Sequence, residues 1–257
     1  MILKTLLVIS IYIHLVSAFS SSWSEKQESS PNLHFAIVVD AGSSGSRAYL
    51  YKWPDHSYDL NELLKISPLT EINGEPMVKS VSPGLSSFSE NPQNAFEYMR
   101  PLIQYAADRI PPKNHQETPL FILATAGMRL IEHDQQEAII TNVRNGISKH
   151  FDFHFPEGNL EIISGKQEGI YQWLAINYVL DKFDHGGSKD ENIVNMPDYD
   201  DQVDEGRNVY LRPKTVGALD MGGASMQIAM EVTSDLSLQG FSVSVLGKPA
   251  DQQLINS

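Results

Sequence analysis

VVDAGSSGSRAYLYKW, residues 38–53, is the stretch that decides the fold of this chain. It continues an apolar, β-branched run from Phe35 to Val39, the composition of a fully buried strand. Asp40 ends that run, and Gly42, Ser43, Ser44, Gly45 and Ser46 follow as a loop of small residues. With no bulky side chains in the way, the backbone N–H groups and hydroxyls of such a loop can close around an anion. Ala48 to Trp53 is strand-like again, so the loop sits at the tip of a β-hairpin, whereas a P-loop feeds a helix. A carboxylate beside a hydroxyl-rich anion loop suits a phosphate site with a divalent cation, because Mg²⁺ and Ca²⁺ take oxygen ligands. Alone, the loop is equally compatible with an ordinary Gly/Ser hairpin turn.

The pattern returns in VGALDMGGASMQIAMEV, residues 216–232: a buried apolar strand, Asp-x-Gly, small residues, and a second strand. Aligned on Asp40 and Asp220, the two segments share the carboxylate, the glycine two places on and a serine-containing loop. Such a sparse internal repeat predicts two related lobes whose loops face each other across a cleft and hold one polyphosphate and one metal. Chance recurrence of a glycine-rich turn is the competing explanation.

Met1 to Ser20 carries an early Lys4, an apolar run from Thr5 to Val16, and small residues at Val16-Ser17-Ala18. This has the form of a secretory signal peptide over residues 1–18, with a signal anchor as the alternative. The apolar run is shorter than the ~20 residues of a spanning helix and is interrupted by Ser10 and His14, which favours cleavage. A flexible leader is expected over residues 19–34, since Ser20 to Pro31 is rich in Ser, Glu and Gln. The chain has no cysteine, so no disulfide supports it in an oxidising compartment. Its 257 residues with 41% hydrophobic content suffice for a sizeable core. The net charge of −13 speaks against nucleic-acid binding but not against a small anion held by a local cradle. Eight acids between Asp184 and Glu205, opposed only by Lys189, read as a solvated loop at 184–205.

Between the hairpins, Lys52 to Ser89 reads as strands and turns, and Asn91-Pro92 opens a helix carrying Ala95, Phe96, Met99, Leu102, Ile103 and Ala106. Leu120 to Arg129 is a strand running into Thr125, Ala126 and Gly127, small residues at a strand's carboxyl end, where α/β folds build sites. Structural turn and site wall are both open for it. His150 and His154 do not suggest zinc, because KHFDFHF alternates as a strand would. Leu160 to Ile163 is another strand, followed by SGKQEG and a helix with Ile170, Trp173, Leu174, Ala175, Val179 and Leu180 at helical spacing. Glu168 therefore stands at or just before a helix start, where it can cap the helix or orient a water in the cleft. A water-activating Glu, two phosphate loops and a cation are the parts that phosphoryl transfer to water requires.

Five segments, DAGSSGSR (40–47), PGLSSF (83–88), ATAGMRL (124–130), GKQEGIYQW (165–173) and GALDMGGASMQIA (217–229), resemble in order the first four conserved regions of the apyrases, the nucleoside triphosphate diphosphohydrolases. The resemblance runs from about Phe35 to Val232 and is most pronounced with the intracellular, Golgi and lysosomal branch, which favours nucleoside diphosphates such as UDP, or triphosphates with varied base preference. It implies an α/β, two-lobed fold of the actin-like, sugar-kinase-like, heat-shock-ATPase-like (ribonuclease H-like) kind. The first lobe would span 35–160 and the second begin at 161–257. By the same resemblance Glu168 matches the general base, and Thr125, Ala126, Ser225 and Gln227 match positions near the attacking water. Ser43, Ser44 and Gly45, with Ser46 of the same loop, would bind phosphate, as would Gly222, Gly223 and Ala224. Asp40 and Asp220 would hold Ca²⁺ or Mg²⁺ through water.

Family members continue past the position of Ser257 with a fifth conserved region, base-binding aromatics and in many cases a carboxy-terminal membrane span, so the resemblance implies an incomplete second lobe. After Val232 only Phe241 to Leu246 reads as a strand. The expected function is divalent-cation-dependent hydrolysis of the terminal phosphate of nucleoside di- and triphosphates in the lumen of the secretory pathway, with no nucleic-acid partner and with membrane attachment open for a longer form. The alternatives are a nucleotide-binding fragment without turnover and another enzyme of the same fold, such as an exopolyphosphatase or a kinase.

Overall fold

The structure, a computed structural model, describes residues 32–56, 63–183, 193–196 and 210–231. The expected signal peptide, most of the leader and the strand expected at Phe241 to Leu246 lie outside these residues.

Strands β1 (Leu33–Ala41) and β2 (Ser46–Pro54) form the first hairpin, in the register Asp40↔Arg47 and Ala41↔Ser46. They are longer than their apolar runs, because the ladder continues through Asp40 and Ala41 on one side and Ser46 and Arg47 on the other. Strands β3 (Ser67–Pro68) and β4 (Val78–Val81) pair with β2, while β5 (Leu120–Ala124) lies parallel to β1 and β6 (Leu160–Ile162) parallel to β5. The result is a six-stranded sheet in the order β3-β2-β1-β5-β6, with β4 beside β2. This sheet runs to Ile162, so the expected lobe boundary at 160/161 falls inside β6.

Helix α1 (Ala95–Ala107) follows a 3₁₀ turn at Pro92–Asn94 and buries Phe96, Met99, Leu102 and Ile103, the stripe that its spacing predicts. A short helix α2 (Ala126–Arg129) follows β5, and a long helix α3 (His133–His150) follows it. Sequence periodicity missed α3, whose buried stripe is only Ile139, Val143 and Ile147 among eighteen largely polar residues. His150 consequently ends a helix rather than lying in a strand; only His154 makes a β-bridge, to Pro119. Helices α1 and α3 cover one sheet face through a core that includes Ile37, Val39, Leu50 and Ile122.

The other face carries Val38, Tyr49, Tyr51, Phe121 and Ile163, against which Tyr171 and Tyr178 of α4 (Gly165–Val179) pack. Alternation along β1 and β2 puts the side chains of Asp40 and Arg47 on this second face. Helix α4 is stapled at its start by a reciprocal cap in which Gln167 N donates to Ser164 Oγ and Ser164 N donates to Gln167 Oε1. A further hairpin, β7 (Ile193–Met196) with β8 (Tyr210–Pro213), follows. Ile193–Met196 is thus a strand inside the stretch expected as an acidic loop; the rest of that stretch lies outside the described residues.

Strands β9 (Ala218–Met221) and β10 (Met226–Ala229) pair as Asp220↔Gln227 and lie against α4. They come close because Gly169 has no side chain there: a Cβ at Gly169 would stand 3.4 Å from that of Gln227 and 3.7 Å from that of Ala229. Asn177, fully buried, then ties the hairpin to the helix. Its amide accepts from Val216 N at 2.8 Å and donates to Val216 O at 3.0 Å and Trp173 O at 2.8 Å. Replacing Asn177 by Ala removes all three bonds and opens a gap at a fully buried position, and about 2 kcal/mol of stability should be lost, readable as a lower urea midpoint at unchanged m-value.

Candidate active site

The two hairpins are geometrically alike. Each joins its strands through a four-residue loop, Gly42–Gly45 between Ala41↔Ser46 and Gly222–Ser225 between Met221↔Met226. Each also places an Asp one pair back from that junction, Asp40 opposite Arg47 and Asp220 opposite Gln227. The sparse sequence repeat is therefore a structural repeat. The loop tips meet: a Cβ at Gly223 would lie 2.8 Å from Ser43 Oγ.

The first loop is seated from below by glycines. A Cβ at Gly84, ahead of the 3₁₀ turn Leu85–Phe88, would fall 2.3 Å from Ser43 O and 2.8 Å from Gly42 O. One at Gly127 would fall 2.8 Å from Ser43 Cα. These neighbours are backbone atoms that cannot swing aside, so PGLSSF and ATAG act as a rest for the Gly42–Gly45 loop. Of the expected phosphate-binding residues, Ser43, Ser44 and Gly45 lie in this loop and Gly222, Gly223 and Ala224 in the facing one. Ser46 is a correction for its side chain. It is the first residue of β2, fully buried on the α1 side of the sheet, and its Oγ accepts from Tyr98 Oη at 3.0 Å. The pleat that turns Arg47 toward the cleft turns Ser46 away.

Glu168 is 6% exposed and sits in the first turn of α4. It does not cap the helix, a task met by Ser164 and Gln167. Its Oε2 accepts from Arg129 Nη1 and Nη2, both at 3.0 Å, and from Gln227 Nε2 at 3.2 Å. Gln227 Nε2 also donates to Ser225 Oγ at 2.9 Å, and Arg129 Nη2 reaches the same oxygen at 3.3 Å. Gln227 Oε1 is buried without a partner. Thr125 and Ala126, at the end of β5 and the start of α2, are buried, and Arg129 N donates to Thr125 O at 3.3 Å one turn on; no hydrogen bond joins either residue to Glu168, Gln227 or Ser225 among the described residues. Glu168, Ser225 and Gln227 are thus brought into one hydrogen-bonded group. Arg129 is the member that sequence reading missed; its signal was an arginine one helical turn beyond a small-residue strand end.

Three carboxylates share the cleft. Burial pushes Asp40 up from 3.8 to about 6; Arg47 opposes the shift, while Glu168 and Asp220 add to it. Glu168 is raised by burial, with Arg129 pulling down and Asp220 pushing up. Asp220 is raised by burial, partly offset by the Met221 backbone N–H. Among the described residues no three acidic, His or Cys side chains converge as a metal cage. Two crowded, partly buried carboxylates from facing hairpins instead fit a hard cation held through water, which would relieve the charge that burial penalises.

Two outcomes test this geometry. Gly84→Ala should weaken binding of a nucleotide analogue about tenfold or more, by calorimetry, with the far-ultraviolet dichroism unchanged. For Asp40, a folded-state pKa above the unfolded value means that its stabilising contribution is complete below about pH 3.8 and is lost as pH rises through about 6. Asp40→Asn in cation-free buffer should therefore be more stable than wild type at pH 7.5 by roughly 1–3 kcal/mol, the gap closing below pH 4 in urea titrations.

Residues 26–245 match the GDA1/CD39 (nucleoside phosphatase) family. Ectonucleoside triphosphate diphosphohydrolase 7 of Mus musculus is 47% identical over 207 residues, 80% of this chain and 32% of that protein. Ectonucleoside triphosphate diphosphohydrolase 4 of Homo sapiens is 44% identical over 209 residues, covering 80% and 33%. The nucleoside-diphosphatase mig-23 of Caenorhabditis elegans is 39% identical over 235 residues, covering 91% and 39%. The chain thus spans about a third of the length of these curated relatives. Among solved structures, the nucleoside triphosphate hydrolases from Neospora caninum align with a TM-score of 0.50 at 18% identity, over 79% of this chain and 40% of theirs, which establishes a shared actin-like fold. With most of its length matched, in order, across both hairpins, the chain belongs to the GDA1/CD39 nucleoside phosphatase family.

Proposed function

We propose that the protein hydrolyses the terminal phosphate of nucleoside di- and triphosphates, with Glu168 as the base that activates water. The observation that carries this reading is a buried carboxylate at the junction of two facing anion loops, joined by hydrogen bonds to Gln227 and, through it, to Ser225. The names of the relatives, ectonucleoside triphosphate diphosphohydrolase and nucleoside-diphosphatase, support the same substrate class.

In this reading the backbone N–H groups and hydroxyls of Ser43, Ser44 and Gly45, and the small residues Gly222, Gly223 and Ala224, take the phosphate oxygens between them. A water beside Glu168 gives its proton to the carboxylate as its oxygen attacks the terminal phosphorus. The partnerless Gln227 Oε1 can accept the second hydrogen of that water and fix its lone pair toward the phosphorus. Asp40 and Asp220 would hold Ca²⁺ or Mg²⁺ through water, and the cation would offset negative charge on the phosphates. The charge pattern of Met1 to Ser20 supports a secretory-pathway lumen as the setting.

Phosphate release from UDP, GDP and ATP, with Ca²⁺, Mg²⁺ or chelator, tests the proposal on the chain of 257 residues. Release that needs the cation and drops about 10²- to 10⁴-fold in Glu168→Ala is the expected result. A folded chain that binds nucleotide and releases no phosphate would instead support the nucleotide-binding alternative.

A further inference from the structure

Every donor described at the Glu168 carboxylate goes to one of its two oxygens. Both terminal nitrogens of Arg129 and the Gln227 amide converge on Oε2. An unconstrained arginine and carboxylate commonly form two parallel bonds, one to each oxygen. Here the fork closes on a single atom because Arg129 is tethered elsewhere. Its Nη1 donates to Ile163 O at 2.7 Å, and its Nη2 reaches Ser225 Oγ at 3.3 Å. Ile163 follows β6 and Ser225 ends the second loop, so the guanidinium is fixed from both sides of the cleft.

Three donors leave Oε2 little lone-pair capacity and lower its basicity, while Oε1 keeps its own. We propose that Arg129 is the positioning residue of the base, holding Glu168 by Oε2 so that Oε1 is the atom that takes the proton from the attacking water. The proposal rests on the hydrolytic reading above and deepens it, naming a residue outside the phosphate and cation sites. In the step, one water O–H bond breaks toward Oε1 while the water oxygen bonds to the terminal phosphorus. The bond from that phosphorus to its bridging oxygen breaks, its electron pair staying with the departing nucleotide. The proton on Glu168 then passes to solvent. Arg129 neither gives nor takes a proton.

Charge makes the same residue necessary. Among the described residues the ionisable groups acting on Glu168 are Arg129 from α2, Asp220 from β9 and Asp40 from β1; Gln227 and Ser225 are neutral. Burial and Asp220 both disfavour the anion that a base requires, and Arg129 opposes them. Removing Arg129 should therefore protonate Glu168 at a pH where the wild type is ionised, as well as loosening it.

The experiment compares wild type with Arg129→Gln and Arg129→Lys, using UDP turnover against pH and, independently of turnover, the ¹³C titration of the Glu168 carboxyl, assigned with Glu168→Gln. Arg129→Gln should move the acid limb of kcat and the carboxyl titration upward by about one pH unit. Its plateau rate should fall about 10- to 100-fold, with KM within about threefold of wild type. Arg129→Lys should keep the acid limb near its wild-type place, because the charge remains, while the plateau stays low, because an ammonium cannot make the forked contact. A parallel loss at every pH with an unmoved carboxyl titration would reduce Arg129 to a structural role and overturn the proposal. So would a raised plateau in Arg129→Gln, since Arg129 would then be masking the base. Absence of phosphate release from wild type would overturn the hydrolytic reading alone; the carboxyl titration would still decide whether Arg129 holds Glu168.

Discussion

Three carboxylates, Asp40, Asp220 and Glu168, brought together in a partly buried cleft are the constraint on which the rest of the structure depends. Each is held with its anionic form disfavoured by burial, and their charges reinforce one another. Such crowding persists only where the surrounding scaffold enforces it. Two cations face it, Arg47 across the ladder from Asp40 and Arg129 on the Glu168 carboxylate. Neither fully compensates: all three acids stay above their ordinary range. Perturbed acids gathered in one cleft are a mark of a functional site, and under the reading proposed above their partner is a cation with a polyphosphate.

The scaffold enforces the crowding through topology. Asp40 and Asp220 occupy the same place in two hairpins of the same loop length, so one local solution, used twice and set face to face, delivers both carboxylates and both small-residue loops. What brings the hairpins into register is the absence of side chains at contact points. Gly169 lets β9 and β10 lie on α4, while Gly84 and Gly127 let the first loop sit on its support. Asn177 and Tyr178 add directional ties on the same helix. Asn177 grips Val216, while Tyr178 Oη donates to Leu64 O and accepts from Ile66 N at 2.9 Å. Helix α4 is thereby pinned both to the large sheet's flank and to the second hairpin.

Much of this was legible in the sequence, for physical reasons that also mark where legibility stops. Buried strands announce themselves as apolar runs, and the runs at Phe35–Val39 and Leu120–Ala124 became β1 and β5. The repeat around Asp40 and Asp220 was readable because turn chemistry is local. Helix α3 was not, since a helix that buries one residue per turn leaves too thin a stripe among polar positions to raise a periodic signal. Ser46 looked like a loop residue by composition, yet the β-pleat assigned its hydroxyl to the opposite face. Arg129 lay in plain view in ATAGMRL, but its partners Glu168 and Ser225 are 39 and 96 positions away, and no local pattern encodes a contact of that range.

Helix α4 carries that lesson furthest. Its apolar positions at helical spacing are Ile170, Trp173, Leu174, Ala175, Val179 and Leu180, yet of these only Ala175 belongs to the buried stripe Glu168, Gly169, Gln172, Ala175, Ile176 and Asn177, while Ile170, Val179 and Leu180 are 41%, 38% and 50% exposed. A helix that turns a carboxylate and two amides inward beside Ala175 and Ile176, and leaves Ile170 and Val179 outside, departs from the hydrophobic pattern that folds most helices. The contradiction has a structural source: the inward face packs against β9 and β10, where backbone carbonyls and Gln227 need partners. Asn177 satisfies Val216, Gln172 Nε2 reaches Leu219 O at 3.4 Å, and Glu168 meets Gln227. Gln172 Oε1 and Gln227 Oε1 have no partner, so this face is polar without being fully paired, and an apolar residue in place of Glu168 would take from the buried Gln227 amide one of its acceptors. Where local propensity and burial disagree this sharply over one stripe, the site, not the core, is what the helix was shaped to serve.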